Sequence, residues 1–117
     1  MYRVEHVIYG TGPYCLAEGL PRPVPIVTDE HKLHPSTDFY LLPEIVAANC
    51  IFGFRNLNQL KIWFNNEERY ALHQHSYVVR QYELDRGAIM YVDDSQIAID
   101  RRLIRAVVAQ PISLLEV

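Results

Sequence analysis

From Tyr2 to Tyr9 the chain sets Tyr2, Val4, His6 and Ile8 on one side against Arg3, Glu5, Val7 and Tyr9 on the other, the two-residue period of a β-strand. The side carrying Tyr2, Val4 and Ile8 is the expected core face. That turns His6 inward and leaves Arg3 and Glu5 to pair with each other on the opposite face. Cys50-Ile51-Phe52-Gly53-Phe54 is an apolar run too short for a helix, and a buried strand suits it. Asn56 followed three residues later by Gln59 marks a helix start, after which Leu57, Leu60 and Phe64 share one helical stripe beside Trp63. Asn65 with Glu68 repeats that start, so the pattern predicts two short helices, over 57–64 and 66–74. Strands are predicted over 77–84, 88–92, 96–100 and 105–109, with turns at Asp85-Arg86-Gly87 and Asp93-Asp94-Ser95.

Between the first strand and Pro43 the periodicity fails. Residues 10–42 hold Pro13, Pro21, Pro23, Pro25 and Pro35 and three of the five glycines, a composition that prevents regular sheet or a long helix. Such a long excursion is expected to pack over the sheet through Ile26, Val27, Leu33, Phe39 and Tyr40, because loops of this length tend to be functional or mobile. Pro43 to Ala48 is expected to be a short helical turn with proline in its first position. The order is one strand and a loop, then a strand–helix–helix unit, then a run of antiparallel strands. It predicts an α+β fold with a mostly antiparallel, bent or split sheet, built as a single domain over 1–117. Regular strand–helix alternation, which a doubly wound parallel fold needs, is absent.

Composition narrows the function classes. A formal charge of −3 and a pI near 5.9 give no footprint for nucleic acid, and the cluster Arg101, Arg102, Arg105 reads as a solvated turn. No apolar run approaches the ~20 residues of a membrane helix, and no cleavable signal precedes the first strand. Two cysteines, Cys15 and Cys50, are too few for a disulfide scaffold, so a cytoplasmic protein with reduced thiols is expected. Cys50, beside Ile51 and Phe52, reads as a small core residue rather than a nucleophile.

The richest chemistry lies where the opening strand, with Arg3, Glu5 and His6, meets Gly10-Thr11-Gly12-Pro13-Tyr14. Strand ends that deliver polar groups to a glycine turn are common ligand sites, because a missing Cβ lets a ligand approach the backbone. On the plainer reading His6 is a half-buried histidine and Arg3–Glu5 a surface pair. On the functional one, His6 donates to a ligand hydroxyl while the turn amides and the Tyr14 ring wall the pocket. Asp93-Asp94-Ser95-Gln96 reads first as turn chemistry, with Gln96 open to a role facing a cleft. His73-x-His75 and His31-x-x-His34 lack matching third and fourth ligands, so no metal is expected. Neither a nucleophile elbow nor a phosphate loop nor a Rossmann glycine pattern occurs.

The set Arg3-Val4-Glu5-His6, Gly10-x-Gly12-Pro13-Tyr14, His34-Pro35, Phe52-Gly53-Phe54, Gln59-Leu60, Trp63-Phe64, Tyr82-Glu83 and Ser95-Gln96 resembles small uncharacterised proteins encoded by bacteriophages and prophages, over nearly the whole chain. The layout is also similar to compact ADP-ribosyltransferase-like domains. That second resemblance implies NAD as cofactor, with Arg3 or His6 on the ribose or phosphates and Gly10, Thr11, Gly12 and Tyr14 along the dinucleotide. It puts Gln96 where the family has an acid. Glutamine can bond a ribose hydroxyl but cannot act as a general base, so turnover would need Glu83, Asp93 or Asp94 to substitute. Two classes of function follow: an NAD-binding scaffold that modifies a host target, and a non-catalytic phage protein that blocks a host bacterial defence or regulatory protein by binding it.

Overall fold

The computed structural model describes residues 1–13 and 49–117. In chain order these form β1 (Tyr2–His6), β2 (Cys50–Gly53), α1 (Leu57–Trp63), α2 (Asn66–Gln74), β3 (Tyr77–Leu84), β4 (Ile89–Val92), β5 (Ile97–Asp100), one 3-10 turn (Arg101–Leu103) and β6 (Ile104–Ile112). The strands make two antiparallel three-stranded sheets, ordered β1-β3-β6 and β2-β5-β4, so the fold is α+β with a split sheet. The helical turn expected at Pro43 to Ala48, the apolar anchors of the long excursion, Tyr14, Cys15 and His31-x-x-His34 lie outside the described residues.

Among the described residues, backbone pairing joins the two sheets at the start of β1. Tyr2 and Phe54 exchange both backbone hydrogen bonds, each 2.8 Å, so the start of β1 is stitched to the end of β2. Gly53 makes the crossing possible: a Cβ there would fall 2.5 Å from Met1 Sδ and 2.9 Å from the Tyr2 carbonyl oxygen. Beside this stitch lies the core, where Val4, Tyr77 and Val79 from the first sheet pack with Leu60, Trp63, Phe64 and Leu72 from the helices and with Leu114. Phe54 joins them, its ring centroid 6.2 Å from Trp63 and 6.1 Å from Phe64 in a near-perpendicular pair with the latter.

The two helices start where the capping signals place them. The Asn56 side chain accepts from the Gln59 amide at 2.8 Å. At α2, Asn65 and Glu68 form a complete reciprocal box, both bonds 2.9 Å. Arg69 ties the pair together: buried on α2, it donates to the Lys61 carbonyl at 3.1 Å and the Phe64 carbonyl at 2.5 Å, satisfying groups that the end of α1 leaves open.

Strand ends differ from the sequence pattern by more than one residue in two places. β1 stops at His6 instead of continuing to Tyr9, and Ile8, expected on the core face, is 77% exposed. The reason is local: the His6 carbonyl accepts from the Gly10 amide at 2.9 Å, which turns the chain away after Val7 has made one last bond to the Ser76 carbonyl. β6 runs on to Ile112 through Pro111, past the expected end at 109. Proline is tolerated there because β6 is the outer strand of its sheet and need not donate on that side.

Gly53→Ala is expected to destabilise the protein by about 1–3 kcal/mol, since the Met1 side chain and the Tyr2 backbone must both move. Asn65→Ala should remove about 1 kcal/mol through loss of the cap. Urea unfolding checks both, with the larger loss at Gly53.

Candidate functional site

The far end of β1 is built around the His6–Gly10 turn. The His6 amide donates to the Thr11 carbonyl at 2.8 Å while its carbonyl holds the Gly10 amide, and Val7 donates to the Ser76 carbonyl at 2.8 Å. Gly10 closes the loop at φ +69°, a left-handed conformation that L side chains rarely adopt. Thus fastened, the turn presents Val7, Ile8 and Tyr9 to solvent, 45%, 77% and 56% exposed.

His6 itself faces inward, as the alternation requires, and is buried. Its Nδ1 accepts from the backbone amides of Ile8 at 3.2 Å and Tyr9 at 3.4 Å, which puts the ring proton on Nε2. The imidazole centroid lies 5.0 Å from the Tyr9 ring and 5.3 Å, edge to face, from Tyr77. His6 therefore braces the turn through its acceptor nitrogen.

On the opposite face of the same strand a polar cluster centres on Glu5. The sequence places Glu5 in a surface pair with Arg3. The pair exists, at 2.8 Å, but the carboxylate is buried. Oε1 also accepts from the Tyr82 hydroxyl at 2.6 Å, and Oε2 stands 3.3 Å from Arg80 Nε. The register explains the gathering, because Arg3 and Arg80 are cross-strand partners in the β1–β3 ladder. Arg3 reaches further, donating to the Phe52 carbonyl at 3.2 Å and the Gly10 carbonyl at 3.3 Å. Gly12 is buried against it, and a Cβ there would sit 3.1 Å from Arg3 Nη2. Burial and the hydrogen bond to Glu5 hold the Tyr82 phenol well above the ordinary tyrosine range, against a weaker opposite pull from Arg3 and Arg80.

Arg3, His6, Gly10, Thr11 and Gly12 are thus brought together at one end of β1, with Arg3 and His6 on opposite faces. Gln96 is elsewhere. It precedes β5, is 2% exposed, and its backbone amide donates to Asp93 Oδ1 at 2.9 Å within an Asp turn that also binds the Ser95 backbone amide. Gly53 pairs with Ile97, so Gln96 belongs beside the Tyr2–Phe54 stitch. His6 lies four residues further along β1, about 13 Å at the usual strand rise. Tyr14 lies outside the described residues. Neither Arg80 nor Tyr82 stands out in the sequence as a site residue. The one available signal is that Arg80-x-Tyr82 repeats the spacing of Arg3-x-Glu5, which gains meaning only once β1 and β3 are known to pair.

The second sheet holds a smaller ion pair. Asp100 Oδ2 lies 2.7 Å from Arg102 Nη2, and this arginine keeps the carboxyl below the usual carboxylate range. Cys50 pairs across the ladder with Asp100, and burial together with that carboxylate pushes its thiol up, so it stays protonated and weakly nucleophilic at neutral pH. Among the described residues no helix is long and apolar enough to cross a membrane, and no group of three His, Cys, Asp or Glu side chains is arranged to hold a metal.

The family model of the bacteriophage T4 Y00F protein matches residues 1–113. The chain belongs to this family. That bears out the resemblance to small phage-encoded proteins. Neither the curated proteins nor the solved structures contain a match.

In this Y00F-family protein Glu5→Ala is expected to lower stability by about 3–5 kcal/mol, because it strands two guanidinium groups at a largely buried site. Tyr82 supplies a pH signature. Its folded pKa is raised, so its stabilisation is complete below the unfolded tyrosine pKa of about 10 and is lost progressively above it. Unfolding free energy measured across the alkaline range should fall less steeply in Tyr82→Phe than in the wild type.

Proposed function

We propose that this phage protein acts by docking on a host bacterial protein in the host cytoplasm, without turnover, and that the Val7-Ile8-Tyr9 knuckle is its leading contact. One observation carries the reading: three consecutive large apolar side chains stand exposed on a turn fastened by Gly10, Thr11, Ser76 and His6. Each such side chain forgoes about 1.5–3 kcal/mol of burial while it faces water. Scattered single apolar residues need no explanation, but a contiguous set on a rigid support is what an interface core provides. Rigidity also lowers the entropy lost on association. The groups with catalytic potential are meanwhile committed inside the protein: Arg3 to Glu5, the His6 acceptor to the turn, and Gln96 to the interior.

A second reading keeps the ADP-ribosyltransferase-like scaffold, with NAD held by Arg3, His6, Gly10, Thr11 and Gly12. Its support is that these five residues meet at one end of β1. The readings separate experimentally. Ile8→Asp should leave the unfolding free energy within about 0.5 kcal/mol of wild type, since the side chain is exposed. The same change should abolish recovery of a stoichiometric host protein from bacterial lysate. Undiminished recovery with Ile8→Asp would defeat the docking reading. A rise in melting temperature with NAD or ADP-ribose that His6→Ala removes would establish the nucleotide one.

A further inference from the structure

We propose that Arg80 and Arg3, together with the Gly10–Gly12 loop, form a binding site for a phosphate-class oxyanion, a site independent of the apolar knuckle. Among the described residues two guanidinium groups share one carboxylate here, a formal surplus of one positive charge. Glu5 is fully used, with Oε1 taken by Arg3 and Tyr82 and Oε2 facing Arg80 Nε. Tyr82 is kept neutral by its raised pKa and adds no compensating charge. Arg80 meets Glu5 through Nε at 3.3 Å, and its terminal nitrogens have no protein partner among the described residues. Its side chain is 24% exposed, against 14% for Arg3, so Arg80 is the more accessible of the two.

A guanidinium on a side chain only 24% exposed gains from a further acceptor, and its planar fork matches the oxygens of phosphate or carboxylate. Two further features favour phosphate. Arg3 Nη2 lies against Gly12, where the missing side chain leaves the guanidinium uncrowded. The loop that Arg3 grips through the Gly10 carbonyl also carries Thr11, whose hydroxyl is buried with no hydrogen-bond partner. A tetrahedral oxyanion offers more acceptor oxygens than a carboxylate to such a set of donors. Glu5 then serves as the internal anion that holds the two arginines in register, leaving the outer edge of Arg80 for the ligand.

The test titrates the full chain with inorganic phosphate at constant ionic strength, following the arginine Nε–Hε signals by NMR and the melting temperature. Sodium chloride is the screening control, acetate the carboxylate arm and adenosine monophosphate the esterified arm. Phosphate should shift the Arg80 signal saturably and raise the melting temperature. Chloride should do neither, and acetate should bind more weakly. A response to adenosine monophosphate stronger than to phosphate would assign the site to a phosphate ester, and the reverse order to the free ion. Arg80→Gln should weaken phosphate binding by about tenfold or more, while Arg80→Lys should retain part of it. The side chain is partly exposed, and far-ultraviolet circular dichroism verifies that both variants fold. If either fails to fold, the wild-type titration decides alone. An Arg80 signal that responds equally to phosphate and chloride, or phosphate affinity unchanged in a folded Arg80→Gln variant, would overturn the proposal. Neither result depends on whether Ile8→Asp affects partner capture.

Discussion

The crossing of β1 over the end of β2 is the constraint on which the described structure depends. Each sheet has three strands, all of them only four residues long in the second sheet, and sheets this small gain little independent stability. The double hydrogen bond between Tyr2 and Phe54 makes them one body, and Gly53 lets the backbones approach closely enough for it to form. Phe54 then carries the consequence inward. The residue that stitches the sheets is also the ring against which Trp63 and Phe64 pack, so strand pairing and core formation are coupled at one position.

A second consequence is that β1 has two covered faces along part of its length. Its inner face supplies Val4 and His6 to the interior, while its outer face buries Glu5. A carboxylate in such a place is tolerable only when paired and hydrogen-bonded, and both arginines with Tyr82 meet that need. The cluster therefore fixes the register of β1 on β3 as well as compensating charge. A one-residue slip would bring Val4 to the face of the arginines and send Glu5 among the aliphatic side chains.

Structure and proposed action connect at the turn after β1. The bonds that end the strand at His6 also expose Val7, Ile8 and Tyr9, and the histidine that looked like a ligand donor serves as the brace beneath them. The acceptor nitrogen of that histidine is occupied by amides, and its ring is held by Tyr9 and Tyr77. What stands in water is apolar at the knuckle and cationic at Arg80, two properties suited to recognition.

Local signals in the chain were sufficient for the helices, because Asn56/Gln59 and Asn65/Glu68 act within one turn and need no distant partner. The Asp93 turn and the inward direction of His6 are local in the same sense, as is the antiparallel α+β character that follows from element order and short connections. Where β1 ends was not legible, since alternation continues through Tyr9 and only the His6–Gly10 bond stops the strand. Nor could the sequence tell that Glu5 is buried or that Arg80 and Tyr82 attend it. Their separation along the chain exceeds seventy residues, and β1–β3 pairing, a long-range choice among several compatible strands, is what brings them together. Residue order determined the elements and the faces they carry; tertiary pairing decided which faces met, because charge compensation and close backbone approach are properties of neighbours in space.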